Sequence, residues 1–302
     1  MYLAVSYQMT NRHSGPIVAQ HNNLKVILCS ECGFRHLDPI PDTSLYEKGI
    51  YHSQIKPSME SDYAEDHDWW NAIYSDWLWL VDKYAPSKTL LDVGAGTGEF
   101  VRFARGARWL AYGIEADRRM AERYNLFCGS YRDFHNTEDS IQIRAQVYGI
   151  GVISAHWLME HLADPVDFLS WAHDVLTKNG ILLFTIPNDF SEIQYKAMLT
   201  IGKPYYWLHE THINYWNSFS VRDWLPKYGF NLIHSKTYGS WQPERNLLLG
   251  RNYLEDHTLG RQLHRDRMAR ELKMTHADRR RHMLANGLMG VGRDLTFVAV
   301  KK

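Results

Sequence analysis

The stretch LLDVGAGTGEF, Leu90–Phe100, places an apolar run ending in an acid directly before three glycines at alternate positions. TLLDV, residues 89–93, is short and almost continuously apolar, as a parallel strand buried on both faces must be. The glycines behind it let a ligand approach the main chain without meeting a Cβ. EFVRFARGA then opens a helix whose N-terminus presents free N–H groups. A dinucleotide fingerprint has the same ingredients in a different spacing, Gly-x-Gly-x-x-Gly. Here Gly94, Gly96 and Gly98 alternate, and Glu99 stands where the third fingerprint glycine would fall. That spacing argues against a nicotinamide-dependent oxidoreductase or epimerase.

The same rhythm continues outward. WLAYGIE (109–115), NLFCG (125–129), GIGVISA (149–155), ILLFTIP (181–187), FNLIHSKTY (230–238) and DLTFVAV (294–300) read as further strands. DRRMAERY and DPVDFLSWAHDVLTKNG read as helices between them. In the second of these helices Asp164 caps the first turn, Pro165 suits the first helical position, and Gly180 is expected to end it in the left-handed conformation. Strands alternating with helical crossovers predict an α/β, doubly wound sheet covered on both faces. Residues 1–60 read as a loop-like N-terminal extension, with Pro39 and Pro41 discouraging regular structure. Residues 61–302 form the main domain, with insertions at 189–220 and 240–293, the latter a helical insertion before the last strand. A helix with apolar positions Trp70, Ile73, Trp77, Leu80 and Tyr84 leads into the first strand and is stopped by Pro86.

A chain of 302 residues, 45% hydrophobic, can bury a full core. Zero formal net charge argues against a dedicated nucleic-acid binder, which needs surplus cations to neutralise phosphates. Three cysteines give no disulfide framework. MYLAVSYQMT lacks the pattern of a secretory leader, and WWNAIYSDWLWLV, broken by Asp76, is too short to span a bilayer. The expectation is a soluble cytoplasmic protein without membrane partners.

Glu115, ending the second strand, lies where an acid meets a ribose diol in doubly wound folds. With DVGAGTG, GIEAD, MEHLADP and LTKNGILLFTIPN in order, the chain resembles the class I S-adenosylmethionine-dependent methyltransferases over roughly residues 61–237. The resemblance implies a Rossmann-like seven-stranded sheet whose last strand is antiparallel, and S-adenosyl-L-methionine as cofactor. It implies that Asp92, Gly94, Ala95, Gly96 and Gly98 line the methionine part. Glu115 would accept from both ribose hydroxyls, with Ala116 and Asp117 bordering the adenine side. Cys128, Gly129 and Ser130 fall at the adenine edge, where many relatives carry an acid that is absent here. His156 and Trp157 would lie beside the methionine and sulfonium.

Methyl transfer from a sulfonium is an in-line displacement that dissipates positive charge, so alignment supplies most of the effect. A base adds about 10²–10⁴-fold if the acceptor must lose a proton. The catalytic candidates are Glu160 and His161 in LMEHLADP, and His209 and His212 in WLHETHINYW, three apart and expected on one face of a helix. His161 leads. Ubiquinone-type O-methyltransferases share the Glu-His-x-x-Asp-Pro pattern. Their metal-assisted members carry a carboxylate three residues before that Glu; Trp157 occupies the place here, which speaks against a metal-polarised hydroxyl. IPN at 186–188 departs from the Asn/Asp-Pro-Pro-Tyr signature of nucleobase amino-methyltransferases. Tyr205, Tyr206, Trp207, Tyr215 and Trp216 could stack on a sugar or pack a cap. The basic run 251–282, with RRR at 279–281, either attracts a phosphorylated or nucleotide-linked small-molecule acceptor or is a solvated helix face.

CSECGFRH carries Cys29-x-x-Cys32, half of a zinc site. His36 and His13, with His21 competing for the latter place, would complete a Cys₂His₂ set. CGFRHLDPIP resembles N-terminal extensions of methyltransferases from sugar and polysaccharide modification pathways, some of which hold zinc. That resemblance points to a hydroxyl of a sugar or nucleotide-sugar as acceptor. A zinc-containing RNA methyltransferase is opposed by the neutral charge. A non-catalytic methyltransferase-like binding protein is opposed by the intact glycines and Glu115.

Overall fold

The computed structural model describes residues 13–134 and 149–302; the leader reading of Met1–Thr10 lies outside them. Among the described residues two sheets form. The first is antiparallel: β1 (Ile17–His21), β2 (Leu24–Leu28) and β3 (Arg35–Leu37). The extension is therefore not loop-like. Asn22, at φ 51°, turns β1 into β2 across a two-residue Asn-Asn connection, a hairpin device.

The second sheet contains β4 (Thr89–Val93), β5 (Leu110–Glu115), β6 (Phe127–Cys128), β7 (Ile150–His156) and β8 (Leu176–Pro187), mutually parallel where they pair. Between β8 and the rest of this sheet, β9 (Asn214–Tyr215) leaves to join β3. β10 (Phe230–Leu232), β11 (Tyr238–Gly239) and β12 (Asp294–Lys301) complete the large sheet. Its order is β10-β12-β8-β7-β4-β5-β6, with β12 antiparallel to β8 as expected of the last strand. β11 pairs with β12 off this path, making eight strands, because the expected strand at 230–238 is broken in two by a short helical turn at His234–Lys236.

Alternate residues of the strands feed two cores. One face buries Leu91, Ile153, Leu182 and Phe297 against Phe168 and Leu169 of the helix Pro165–Val175. The other buries Leu90, Val152, Leu183 and Val298 against Trp77, Leu80 and Val81 of the helix His67–Asp82. Each such side chain contributes about 1.5–3 kcal/mol by leaving water. Asp164 caps the first helix through the Asp167 N–H at 2.9 Å, but Gly180 does not end it. The helix stops at Val175, the chain runs directly into β8, and Asn179 takes the left-handed conformation at φ 61°. No helix among the described residues is long and apolar enough to cross a membrane.

Candidate functional site

At the carboxyl ends of β4, β5 and β7 opens a cavity of about 1130 Å³. Its floor is the glycine turn. Gly94, Gly96 and Gly98 have φ of 73°, 55° and 67°, a region that a side chain with a Cβ occupies only under strain. A Cβ on Gly94 would also stand 3.0 Å from Leu158. Glycine at alternate positions is therefore what lets the turn coil back, with the N–H groups of Gly94 and Ala95 both on the Ile114 carbonyl. Gly98 does not line the cavity; it precedes the helix Glu99–Gly106.

Glu115 is only 6% exposed. Its carboxylate accepts from Gly96 N–H at 2.8 Å and Asp117 N–H at 3.0 Å, and His52 Nε2 stands 3.7 Å away. A carboxylate has lone pairs for two further donors. Asp92 accepts from Ser154 Oγ at 2.7 Å; burial pushes its carboxyl up to about 7 against the pull of that bond, with Glu115 adding to the rise. Ala116, Gly129 and Ser130 also reach the cavity. Cys128 does not, and Asp117 instead caps the helix Arg118–Tyr124 through Arg119 N–H.

After β7, His156 stacks flat on Trp77, rings 3.5 Å apart, and shares a hydrogen bond with Thr185 Oγ1 at 2.8 Å. Burial draws its imidazole down to about 3, so it is a neutral wall. Trp157, at φ 50°, also lines the cavity and donates its Nε1–H to Asp294 at 3.1 Å. Such a backbone angle in a bulky residue persists only where surroundings impose it.

The turn Met159–His161 then presents Glu160 and His161 to the cavity. Glu160 is 1% exposed and neither carboxylate oxygen has a hydrogen-bond partner among the described residues. Burial, reinforced by Asp294 and Asp189, holds its carboxyl well above the usual range. His161 Nδ1 lies 2.6 Å from the Thr211 carbonyl, which fixes the proton on Nδ1 and leaves Nε2 as the acceptor. Tyr46 Oη also approaches Nδ1, at 2.7 Å. Burial draws His161 down to about 4, and burial beside His161 and His209 draws His212 to about 2. The ligand-capable atoms of Glu160, His161 and His212 lie within 4.8 Å of one another.

His209 and His212 are not on a helix. They flank a turn closed by His212 N–H on the His209 carbonyl, and this sends His212 into the cavity and His209 away from it, onto Thr211. Sequence reasoning missed a wall of the cavity: Tyr46, Tyr51, His52, Met59 and Tyr63 come from the extension and its junction. No local pattern marks them, since they meet the glycine turn only through the fold. The basic run is largely paired. Arg279 and Arg280 bind buried Asp76, Arg281 binds Asp278, and Arg265 binds Glu65; Arg261 lines the cavity without an ion pair among the described residues.

A second cluster lies in the extension. Ligand-capable atoms of His13, Cys29, Cys32 and His36 fall within 4.8 Å of one another, and His21 is elsewhere. His36 Nδ1 is held by the Leu37 carbonyl at 2.8 Å, while its buried Nε2 has no partner. Burial and neighbouring Cys29 push the Cys32 thiol up to about 12. Two thiols and two imidazoles gathered this closely suit a tetrahedral soft-ligand ion.

Residues 72–235 match a family described as "Methyltransferase domain". No curated protein matches the chain. Among solved structures, a SAM-dependent methyltransferase from Thermotoga maritima is similar at 14% identity and TM-score 0.46, covering 85% of this chain and all of that one. The plantazolicin methyltransferase BamL is similar at 10% identity and TM-score 0.49, covering 86% and 95%. The cyclopropane synthase MmaA2 from Mycobacterium tuberculosis is similar at 17% identity and TM-score 0.42, covering 75% and 83%.

Proposed function

The chain belongs to the methyltransferase domain family and is an S-adenosylmethionine-dependent enzyme, and from that premise we propose that it methylates a hydroxyl of a sugar or nucleotide-sugar. The cofactor supplies a methyl group on a sulfonium. Glu115 would hold the ribose diol, the turn at Gly94–Gly96 with Asp92 the methionine end, and Gly129 and Ser130 the adenine edge. All of them line one cavity.

The observation that carries the acceptor reading is His161. Its Nδ1 is tied to a backbone carbonyl, so the Nε2 lone pair is the one left to receive the hydroxyl proton as the oxygen–methyl bond forms and the methyl–sulfur bond breaks. Glu160, buried beside it, favours a neutral acceptor at the reacting end. The rings of Tyr46 and Tyr51 offer faces to the C–H side of a sugar, and Lys56 and Arg261 at the mouth would meet a phosphorylated or nucleotide-linked part. Incubating the protein with methyl-labelled cofactor and a panel of activated sugars should transfer label to one of them. Label reaching only amines, with every hydroxyl acceptor blank, would overturn the acceptor reading.

His13, Cys29, Cys32 and His36 would hold a structural zinc. The supporting observation is the unpartnered Nε2 of His36 facing two thiols. Metal analysis should find one zinc per chain in the parent and none in Cys29→Ser. A second reading of the acceptor site is favoured by the unpartnered oxygens of Glu160 within reach of His161 and His212: these three would hold a divalent cation that polarises the hydroxyl, despite Trp157 standing where metal-assisted relatives carry an acid. A second metal ion lost in Glu160→Gln, and not in Cys29→Ser, would select that reading over His161 as base.

A further inference from the structure

We infer that the Cys–His cluster positions the catalytic turn: the strand bearing His36 is paired to the segment that holds Glu160 and His161 in place. The inference rests on the zinc reading above and extends it from local stapling to the reaction centre.

The connection is continuous. His36 lies in β3 and pairs in register with Asn214 of β9. Leu37 N–H donates to the Ile213 carbonyl at 2.8 Å. Ile213 N–H in turn donates to the Glu160 carbonyl at 2.6 Å. The Asn214 side-chain amide donates to the Met159 carbonyl at 3.0 Å and the Leu162 carbonyl at 2.7 Å, clamping both ends of the turn. Thr211, two residues before Ile213, supplies the carbonyl that fixes the His161 tautomer. Asn214 is 2% exposed, so water cannot readily replace these bonds. One short segment therefore lies between the metal-ligating strand and the catalytic turn, and bonds to both.

Neither partner strand is stable by length: β3 has three residues and β9 two. The loop joining β2 to β3 contains Cys29 and Cys32, so an ion bound there closes the hairpin that offers its edge to β9. Coupling of this kind is reciprocal: whatever ion binding does for the turn, the turn does for ion retention.

The test uses the full chain loaded with zinc. Hydrogen exchange, zinc content and affinity for S-adenosylhomocysteine are measured before and after removal of the ion by a chelator. Removal should speed exchange of the Leu37, Ile213, His161 and Leu162 amides at least tenfold, while the turn at residues 94–98 and the affinity for the nucleoside change less than threefold. Asn214→Ala, which removes side-chain bonds to the catalytic turn and none to a metal ligand, should release zinc to a chromophoric chelator at least tenfold faster. A parent chain without zinc would remove the zinc reading and this inference with it. Zinc present and removable without change at Ile213 and His161 would overturn the inference alone. So would an equal rise of exchange across the whole chain, which is the mark of a merely structural ion.

Discussion

Gly94, Gly96 and Gly98 were legible because their roles are local. Alternating left-handed residues between a strand and a helix need no Cβ, and the sequence prints that directly. Glu115 was legible for the same reason, nineteen residues from the Gly96 N–H it accepts. Tyr46 was not, since it reaches His161 from 115 residues away, and His212 was legible as a candidate but not as the neighbour of His161, 51 residues off. Two predictions belong here. On the ribose reading, Glu115→Ala would remove the acceptor for two hydroxyls; charge-assisted bonds contribute about 1.5–3 kcal/mol each, so calorimetry should show S-adenosylhomocysteine binding weakened roughly 10²-fold or more. Glu115→Gln, which keeps one acceptor oxygen, should lose less. Unchanged affinity in the alanine variant would end the ribose assignment. The second concerns Asp92, whose folded carboxyl is raised to about 7 from 3.8. A raised acid stabilises the fold below its unfolded value and loses that contribution as pH rises through the folded value. Asp92→Asn lacks this loss, so relative to the parent its stability should climb by roughly 1.4 kcal/mol per pH unit between about 4 and 7. Denaturant titrations of ligand-free protein at pH 4.5, 6 and 7.5 read the difference, and parallel curves would show that Asp92 is ionised throughout.

Among elements, the central strands and the helix after Asp164 follow from apolar runs and capping chemistry. The antiparallel sheet of the extension escaped because its strands are short and its last strand, Asn214–Tyr215, comes from far along the chain. The signal that could have found its first hairpin was IVAQH and LKVIL separated by two asparagines. Gly180 misled for an instructive reason: a glycine near a predicted helix end reads as a cap, yet here a Cβ on it would press within 2.9 Å of the Thr177 carbonyl inside an irregular stretch of β8. The RRR run is an element-scale device as well. Asp76 of the helix His67–Asp82 is fully buried and receives Arg279 at 2.7 Å and Arg280 at 2.7 Å from the helix His276–Leu288. Arg279 is itself 3% exposed. Breaking a buried pair from one side leaves an uncompensated charge and costs about 3–5 kcal/mol. Asp76→Ala should therefore lower the unfolding free energy from urea titration by that much, whereas Arg281→Ala, whose partner Asp278 lies at the surface, should stay within about 0.5 kcal/mol. Equal effects would mean that the basic run docks no helix.

At the scale of the whole molecule, three parts that sequence separates enclose one cavity. The sheet supplies the glycine turn and Glu115, the extension supplies Tyr46, Tyr51 and His52, and the helix His257–Lys273 supplies His257 and Arg261 at the mouth. That helix is held across the domain by Trp69 Nε1–H on Glu271 at 2.6 Å, by Arg267 over the Trp69 ring, and by His264 at 3.5 Å from Asp66. Most of these contacts are polar and partly exposed, so the wall segments have less stability of their own than the sheet. A ligand that fills the cavity touches all three parts and lends them its binding free energy. S-adenosylhomocysteine at one hundred times its dissociation constant should raise stability by about 2.7 kcal/mol. Its effect on hydrogen exchange should not stop at the glycine turn. Protection should extend to residues 46–63 and 257–265, and leave the helix His276–Leu288, which contributes nothing to the cavity lining, unchanged. Protection confined to residues 92–100 and Glu115 would mean that the extension and the helix at the mouth do not close on the cofactor, and that the acceptor meets a far more open site than this cavity.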